Sequence, residues 1–121
     1  MSDVRGVGID LCGIERMRPL LERDDFLRRC FTQEELAYVH SRGRMDADSL
    51  AGLWAAKEAV LKALGSGLSI PMTDVHISHT EKGQPICELT GEALRLSEGG
   101  KILISITHEG DMASAVCVWS V

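Results

Sequence analysis

The stretch LAGLWAAKEAVLKAL, residues 50–64, decides the fold because its apolar residues recur with the period of one long helix. Asp48 or Ser49 is the expected N-cap, and Gly65 is the expected residue just past the last turn. Glu58 and Lys62 lie four residues apart on this helix. On spacing alone, the simplest interpretation of the two is a surface ion pair worth only about 0.2–0.5 kcal/mol.

A strand with one bare face is predicted near the start of the chain, from Val4 to Leu11. Its larger apolar residues share one face, while Gly6, Gly8 and Asp10 share the other. Glycine in a strand often marks the close approach of a ligand or of another backbone. We therefore expect Asp10 to stand on a surface that its strand neighbours leave open.

The segment between this strand and the long helix predicts shorter helices. Thr32 and Glu35 have the spacing of a capping box for a helix that runs to about His40. A helix over residues 14–23 would place Arg16 and Arg23 on one face, although Pro19 should kink it or limit it on one side.

After Gly65 the hydrophobic period changes from 3.6 to 2, which predicts strands. A short helix is expected at residues 92–97, and turns are expected at 82–83 and 109–111. The predicted strands cover residues 74–79, 86–90, 101–107 and 113–119. The predicted class is α+β, with an antiparallel sheet packed against the long helix.

Length and charge narrow the function classes. A chain of 121 residues predicts a single domain, residues 1–121, with room for a real core. A net charge of −5 and only 4% aromatic residues argue against a nucleic-acid partner. The four cysteines form no Cys-x-x-Cys pair, and the longest apolar segments are too short or too charged to span a membrane. We expect reduced thiols and a cytoplasmic location.

Two carboxylates and two lysines suggest phosphate chemistry. Mg²⁺ takes one or two protein carboxylates and leaves its other positions to water and phosphate, so Asp10 and Glu58 are candidate ligands. Lys57 and Lys62 could offset the charge of a transferring phosphoryl group. His108 ends a predicted strand where a turn begins, a usual place for a ligand contact, although a structural role is as plausible from sequence.

Together these residues resemble a known family, the holo-[acyl carrier protein] synthases, which are small 4′-phosphopantetheinyl transferases. The resemblance covers essentially the whole chain, and the ordered set is specific although each piece alone is weak. The segments that carry it are VGIDL at 7–11, FTQEE at 31–35, WAAKEA at 54–59, KALG at 62–65, KGQP at 82–85 and ISITH at 104–108.

The resemblance implies a Mg²⁺-dependent transfer of phosphopantetheine from coenzyme A to a serine of an apo acyl carrier protein. It implies that Asp10 and Glu58 bind the metal and that Lys62 acts at the reacting phosphates, with Glu58 also a candidate for deprotonating the serine. The implied coenzyme A contacts are Lys57, Lys62, Gly65, Ser66, Gly67 and His108.

The same resemblance implies a homotrimer assembled around its sheets, with each site between neighbouring subunits. Acyl carrier proteins are acidic, and complementary charge steers docking. Arg16, Arg23 and Arg29 therefore become candidate docking residues.

Two residues depart from the family pattern. Leu53 stands where many relatives carry an arginine, and Glu109 follows His108 where a threonine is common. A phosphate contact is therefore in question, with Arg44 or Lys101 as candidate replacements. The alternative functions are a transferase devoted to one polyketide-type carrier domain and a non-catalytic coenzyme A-binding or scaffolding relative.

Overall fold

The computed structural model of the chain describes residues 3–66 and 69–121. Its strands are β1 Val4–Gly13, β2 Val75–His79, β3 Pro85–Leu89, β4 Lys101–Glu109 and β5 Met112–Ser120. Its α-helices are α1 Ile14–Met17, α2 Asp24–Cys30, α3 Gln33–Ser41, α4 Asp46–Leu64 and α5 Gly91–Ser97. Short 3-10 turns occupy Arg18–Glu22, Gly43–Met45 and Met72–Asp74. The predicted α+β class is confirmed.

The strands form two antiparallel groups. The main sheet has the order β1-β5-β4, and β2 pairs with β3 in a separate hairpin. In the main sheet, Asp10 on β1 lies opposite Ala115 on β5, which in turn lies opposite Ile106 on β4. Asp10 and Ile106 are therefore on the two outer strands, roughly 10 Å apart at the backbone.

Helix α4 crosses the main sheet, and glycines set how closely it approaches. A methyl group added at Gly8 would lie 1.8 Å from the Ala59 carbonyl oxygen, and one at Gly6 would lie 2.0 Å from that of Ala63. The C-terminal half of α4 therefore rests directly on the backbone of β1. Near the other end of the helix, a methyl group at Gly52 would lie 3.1–3.2 Å from atoms of β4 side chains.

The bare face that the sequence predicted around Asp10 is not open. The glycine face of β1 is covered by α4, because only glycine lets two backbones come this close. The opposite face is the exposed one: Val7, Ile9 and Leu11 are 62–65% exposed. The glycines of β1 therefore allow the close approach of another backbone, that of α4, and not of a ligand.

Two helix boundaries also differ from expectation. Helix α4 begins at Asp46, earlier than predicted, because the preceding 3-10 turn continues straight into it. Residues 14–23 form a short α-helix followed by a 3-10 turn with Pro19 near its start, so Arg16 and Arg23 do not share one helical face. The interruption at Pro19 was expected. In the described part of the chain, no helix combines the length and the apolar character needed to cross a bilayer.

Candidate active site

A charged groove forms where the C-terminal half of α4 meets β1, the edge strand of the main sheet. Lys62 Nζ donates to Asp10 Oδ1 and to the Ile9 carbonyl oxygen, both at 3.0 Å. The helical ion pair between Glu58 and Lys62 is thus replaced by a contact between helix and strand. We call Asp10, Glu58 and Lys62 the acidic groove.

Three charged neighbours affect the pKa of Glu58 in this groove. Burial, followed by the negative charge of Asp10, raises the pKa of Glu58, while Lys62 and Arg16 oppose that shift. Asp10 and Glu58 are therefore close enough to repel each other. Two partly buried carboxylates whose negative charge is only partly balanced by nearby cations are a suitable donor set for a hard divalent cation.

The end of α4 lies next to this groove. Gly65 terminates the helix in the left-handed conformation, with φ +71°, which confirms its predicted place after the last turn. The hydroxyl of Ser66 donates to the Leu61 carbonyl oxygen at 3.3 Å and so helps to cap the helix. Gly67, the third residue of the predicted turn, lies outside the described residues.

A second depression, which we call the His108 cavity, lies at the β4 edge of the sheet. It encloses about 280 Å³, near the lower end of the roughly 300–1,000 Å³ typical of small-molecule sites. Its walls come from α3, α4, the β2–β3 hairpin and β4, through residues that include Tyr38, Arg42, Leu53, His79, Pro85 and His108.

His108 is held in this cavity by the backbone of α4. Its Nε2 lies 2.9 Å from the Asp48 carbonyl oxygen. Because a carbonyl only accepts, Nε2 carries the hydrogen and Nδ1 is left to meet a ligand. The side chain is exposed, as a ligand contact requires.

Three cavity residues were missed by the sequence reasoning. The rings of Tyr38 and His79 stack with centroids 4.0 Å apart and planes 8° apart. The guanidinium carbon of Arg42 lies 5.6 Å from the centre of the Tyr38 ring. The four-residue spacing of Tyr38 and Arg42 on one helix face was the available signal, but nothing local linked either residue to His79.

The phosphate-binding role that the resemblance implies for Lys57 does not fit this structure. Its side chain is completely buried, and its ammonium group donates to Glu35 and to the carbonyl oxygens of Met72 and Val75. An ammonium group has three donors, and all three are used. Glu35 therefore does more than cap α3, because it is also the buried partner of this lysine.

The three candidate docking arginines are exposed. Arg16 is the one nearest the acidic groove, since burial raises the pKa values of Glu58 and Cys12 and the charge of Arg16 partly offsets both shifts. Arg23 pairs with Asp25 at 3.5 Å. Arg29 lies in the last turn of α2.

Of the two family departures, only Leu53 lies at the His108 cavity. Leu53 is 1% exposed and forms part of the cavity wall, whereas Glu109 ends β4 in solvent. Lys101 begins β4 and lies about 23 Å along the strand from His108, so it cannot replace a phosphate contact there. Arg42, rather than Arg44, is the arginine that lines the cavity.

The acidic groove and the His108 cavity lie at opposite edges of the main sheet. Helix α4 separates them, with Glu58 and Lys62 on its half over β1 and Gly52 on its half against His108. The structure therefore brings Asp10, Glu58 and Lys62 together but does not bring His108 to them within one chain.

Comparison with known proteins identifies the family. Residues 6–117 match the model of the 4′-phosphopantetheinyl transferase superfamily. The chain is 40% identical over 119 residues to the holo-[acyl-carrier-protein] synthase of Treponema denticola, covering 95% of this chain and 97% of that protein.

Solved structures agree with the family match. The Helicobacter pylori holo-[acyl-carrier-protein] synthase in complex with coenzyme A is 30% identical, with a TM-score of 0.82, covering 93% of this chain and 98% of that one. The Bacillus anthracis holo-(acyl-carrier-protein) synthase in complex with coenzyme A (3′,5′-ADP) is 28% identical, with a TM-score of 0.81, covering 99% and 98%. The chain therefore belongs to the 4′-phosphopantetheinyl transferase superfamily and is similar over almost its whole length to holo-[acyl-carrier-protein] synthases.

Proposed function

We propose that this protein is a holo-[acyl carrier protein] synthase, which transfers 4′-phosphopantetheine from coenzyme A to a serine of apo acyl carrier protein and releases adenosine 3′,5′-bisphosphate. The observation that carries the proposal is the acidic groove, where Lys62 reaches Asp10 beside a second, partly buried carboxylate. Positive and negative groups close together and open to solvent suit a metal-assisted phosphoryl transfer.

Asp10 and Glu58 would hold a Mg²⁺ ion. These residues offer two carboxylates, and across the described residues no cluster of three or more His, Cys, Asp or Glu side chains suits a metal. That number fits Mg²⁺, which usually keeps several positions for water and substrate phosphate. When bound, the ion would supply charge neutralisation at the oxygens of the coenzyme A pyrophosphate.

The chain's own residues would do the rest of the chemistry. A bond forms between the serine oxygen and the phosphorus that carries pantetheine, while the bond from that phosphorus to the bridging oxygen breaks. Adenosine 3′,5′-bisphosphate leaves with the electron pair of the broken bond. Glu58 takes the serine proton, and Lys62 places a positive charge at the phosphates.

A homotrimer would complete this site. One chain keeps its acidic groove and its His108 cavity apart, so the nucleotide and the reacting phosphates would be shared between neighbours, with His108 and Arg42 contributed by one subunit. The outer face of the main sheet supports this assembly because it exposes apolar side chains that an interface would cover. These side chains are Val7, Ile9, Leu11, Leu103 and Val116.

The acyl carrier protein would dock beside the acidic groove. Arg16 lies close to Glu58, and Arg23 and Arg29 are exposed on the following segments. This arrangement would steer an acidic partner toward the groove even though the enzyme's net charge is −5. Coenzyme A and acyl carrier protein would both be met in the cytoplasm.

Intact-mass measurement of a carrier protein tests the function. Purified enzyme, apo acyl carrier protein, coenzyme A and Mg²⁺ should give a carrier heavier by one phosphopantetheine group. Chelation of the metal should stop the reaction, and an excess of Mg²⁺ should restore it. An unchanged carrier mass at saturating coenzyme A, with coenzyme A still bound, would instead identify a scaffolding relative.

A comparison of carrier domains separates the remaining alternative. A general synthase should modify a fatty-acid carrier protein efficiently. A transferase devoted to one polyketide-type carrier domain should modify that domain and leave the fatty-acid carrier unmodified.

A further inference from the structure

The most deeply buried charges in the protein belong to Lys57 and Glu35, which the transfer chemistry does not use. Both side chains are 0% exposed, and Lys57 Nζ lies 2.8 Å from Glu35 Oε1. The same ammonium group donates to the Met72 carbonyl oxygen at 2.9 Å and to that of Val75. Lys57 thus ties α4 to the segment that enters β2.

Glu35 extends the same network in two further directions. Its Oε1 accepts from the backbone N–H of Thr32 at 2.8 Å, and its Oε2 accepts from that of Ile77 at 2.7 Å. Glu35 therefore ties the start of α3 to the middle of β2. Between them, the two residues join three elements: α3, α4 and β2.

These three elements are three walls of the His108 cavity. Tyr38 follows Glu35 by three residues on α3, Leu53 precedes Lys57 by four on α4, and His79 follows Ile77 by two on β2. Each cavity residue thus lies within about one helical turn or one strand repeat of a hydrogen bond of the pair. A shift at the pair would move all three walls.

The β2–β3 hairpin needs such an anchor. It forms no ladder with the main sheet, so backbone pairing does not fix its place. The Tyr38–His79 stack, which joins α3 to β2 at the cavity, depends on that placement. Apolar packing alone allows sliding, whereas the hydrogen bonds from Lys57 and Glu35, and the one between the Thr32 hydroxyl and His76 Nδ1 at 3.0 Å, have fixed directions.

Stability alone is a poor reason to bury these charges. Removing an ammonium group and a carboxylate from water costs several kcal/mol for each ion, and apolar residues of similar size often serve as well or better. We propose that Lys57 and Glu35 act as a positioning pair, which holds α3 and the β2–β3 hairpin at the spacing that the His108 cavity needs to bind the nucleotide of coenzyme A. This inference rests on the proposed function for the identity of the ligand.

The double variant Lys57→Met/Glu35→Gln tests the proposal. It replaces the ion pair with neutral side chains of similar size and leaves no unpaired charge, so the protein should still fold. The carbonyl groups of Met72 and Val75 lose the ammonium donor, and the single amide oxygen at position 35 can accept from only one of the Thr32 and Ile77 N–H groups. Ile102→Ala is the control. Ile102 lies at the far end of β4 from His108 and is packed against the core, so its loss should lower the melting temperature without disturbing the cavity.

Tyr38 reports on the cavity without any need for activity. It is the only tyrosine in the sequence, so ring-labelled tyrosine gives one set of NMR signals, shifted by the stacked His79 ring. In the double variant these signals should move toward those of a free tyrosine ring. In Ile102→Ala they should stay at the wild-type positions.

The kinetic readout separates positioning from a general structural role. We expect the KM for coenzyme A to rise about 10- to 100-fold in the double variant, as metal affinity or activity falls when the hydrogen-bond partners behind metal ligands are removed, with a much smaller change in kcat. The folded molecules of Ile102→Ala should keep the wild-type KM for coenzyme A.

Three results would overturn the positioning role. The first is a folded double variant with wild-type Tyr38 signals. The second is shifted Tyr38 signals with a wild-type KM, and the third is a kcat loss at constant KM. An inactive wild-type protein would overturn the proposed function instead, and the Tyr38 signals would still decide whether the pair positions the cavity walls.

Discussion

Helix α4 carries two lysines, five residues apart, that each pair with a carboxylate from another element. Lys57 and Glu35 are both 0% exposed, while Lys62 is 53% and Asp10 is 16% exposed. All three donors of Lys57 have partners within the protein. Lys62 has two partners and remains accessible to a third.

The difference shows that burial decides whether a lysine–carboxylate pair supports the structure or stays available to a ligand. In the core, an unpaired charge is strongly penalised, so the Lys57–Glu35 pair cannot open and acts on structure. At the sheet edge, water screens the Lys62–Asp10 pair, and its attraction is worth at most about 1 kcal/mol. A ligand with two phosphates can therefore displace one contact of Lys62 at low cost.

The largest expected effect is the loss of transfer in Asp10→Ala. Removing one of two carboxylates that would hold the metal should forfeit several kcal/mol of transition-state stabilisation, which lowers kcat/KM by about a thousandfold or more. The carrier-mass assay measures this loss, and circular dichroism should show an intact fold. Glu92→Ala, an exposed acid on α5, is the matched control and should remain active. A wild-type rate in Asp10→Ala would refute the metal-site assignment.

Lys57→Met should have the largest effect on stability. Breaking a buried pair leaves Glu35 without its cation, and the free energy of unfolding should fall by about 3–5 kcal/mol. Lys62→Met is the matched variant on the same helix and should change stability by no more than about 1 kcal/mol. Urea denaturation measures both. Equal losses in the two variants would contradict the division between a structural and an accessible pair.

The same Lys62→Met variant should lose activity although it keeps its stability. Without the ammonium group, charge that develops on the phosphates is less well compensated, and kcat should fall about 10²- to 10³-fold. Steady-state kinetics with varied coenzyme A would detect the loss. Lys101→Met, at the distant start of β4, should keep the wild-type rate, and an active Lys62→Met enzyme would remove Lys62 from the mechanism.

Glu58→Gln should separate the stability of the acidic groove from its activity. Burial, then the charge of Asp10, raises the pKa of Glu58, so the folded chain holds this proton more tightly than the unfolded chain. The stability contributed by the protonated group is present below its ordinary pKa and is lost as the pH rises through the raised value.

At pH 7, Glu58→Gln should therefore be more stable than the wild type by about 1 kcal/mol or less. The gain should disappear in acid, where the wild-type group is itself protonated, while transfer falls sharply at pH 7. Thermal melts at several pH values follow the stability difference. A variant less stable than the wild type at pH 7 would show that the ionised Glu58 is not under strain.

Arg16→Ala should give the smallest effect. An exposed charge at the rim of a docking surface contributes about 0.2–1 kcal/mol, so the KM for the carrier protein should rise about two- to fivefold and depend less on salt. Arg18, which is exposed and paired with Glu15, provides the control variant Arg18→Ala. An unchanged salt dependence in Arg16→Ala would argue against the docking surface.

Local sequence predicted most elements of the fold. The capping box at Thr32 and Glu35 is present, Gly65 ends α4, and the period-2 segments after residue 74 form the four predicted strands. These features depend on residues that are close in the sequence, so local sequence patterns are enough to predict them. The helix considered over residues 14–23 ends at Met17, where the expected interruption by Pro19 takes the form of a 3-10 turn.

The candidate site was only partly predictable. Asp10, Glu58 and Lys62 could be named from residue type and family resemblance, because phosphate chemistry demands acids and lysines. Tyr38, Arg42 and His79 were missed because a cavity wall built from three elements leaves no local pattern. The surface around Asp10 was assigned to the wrong face for the same reason, since nothing in β1 alone states what covers its glycines.

The sequence by itself determined most of the elements, their order and the chemical types of the reactive groups. Only the tertiary structure decided that Lys57 is closed inside the core while Lys62 faces solvent at the sheet edge. The physical reason is that solvation depends on what packs against a side chain, and Glu35 and Asp10 reach these two lysines from different elements through contacts that are distant in the sequence.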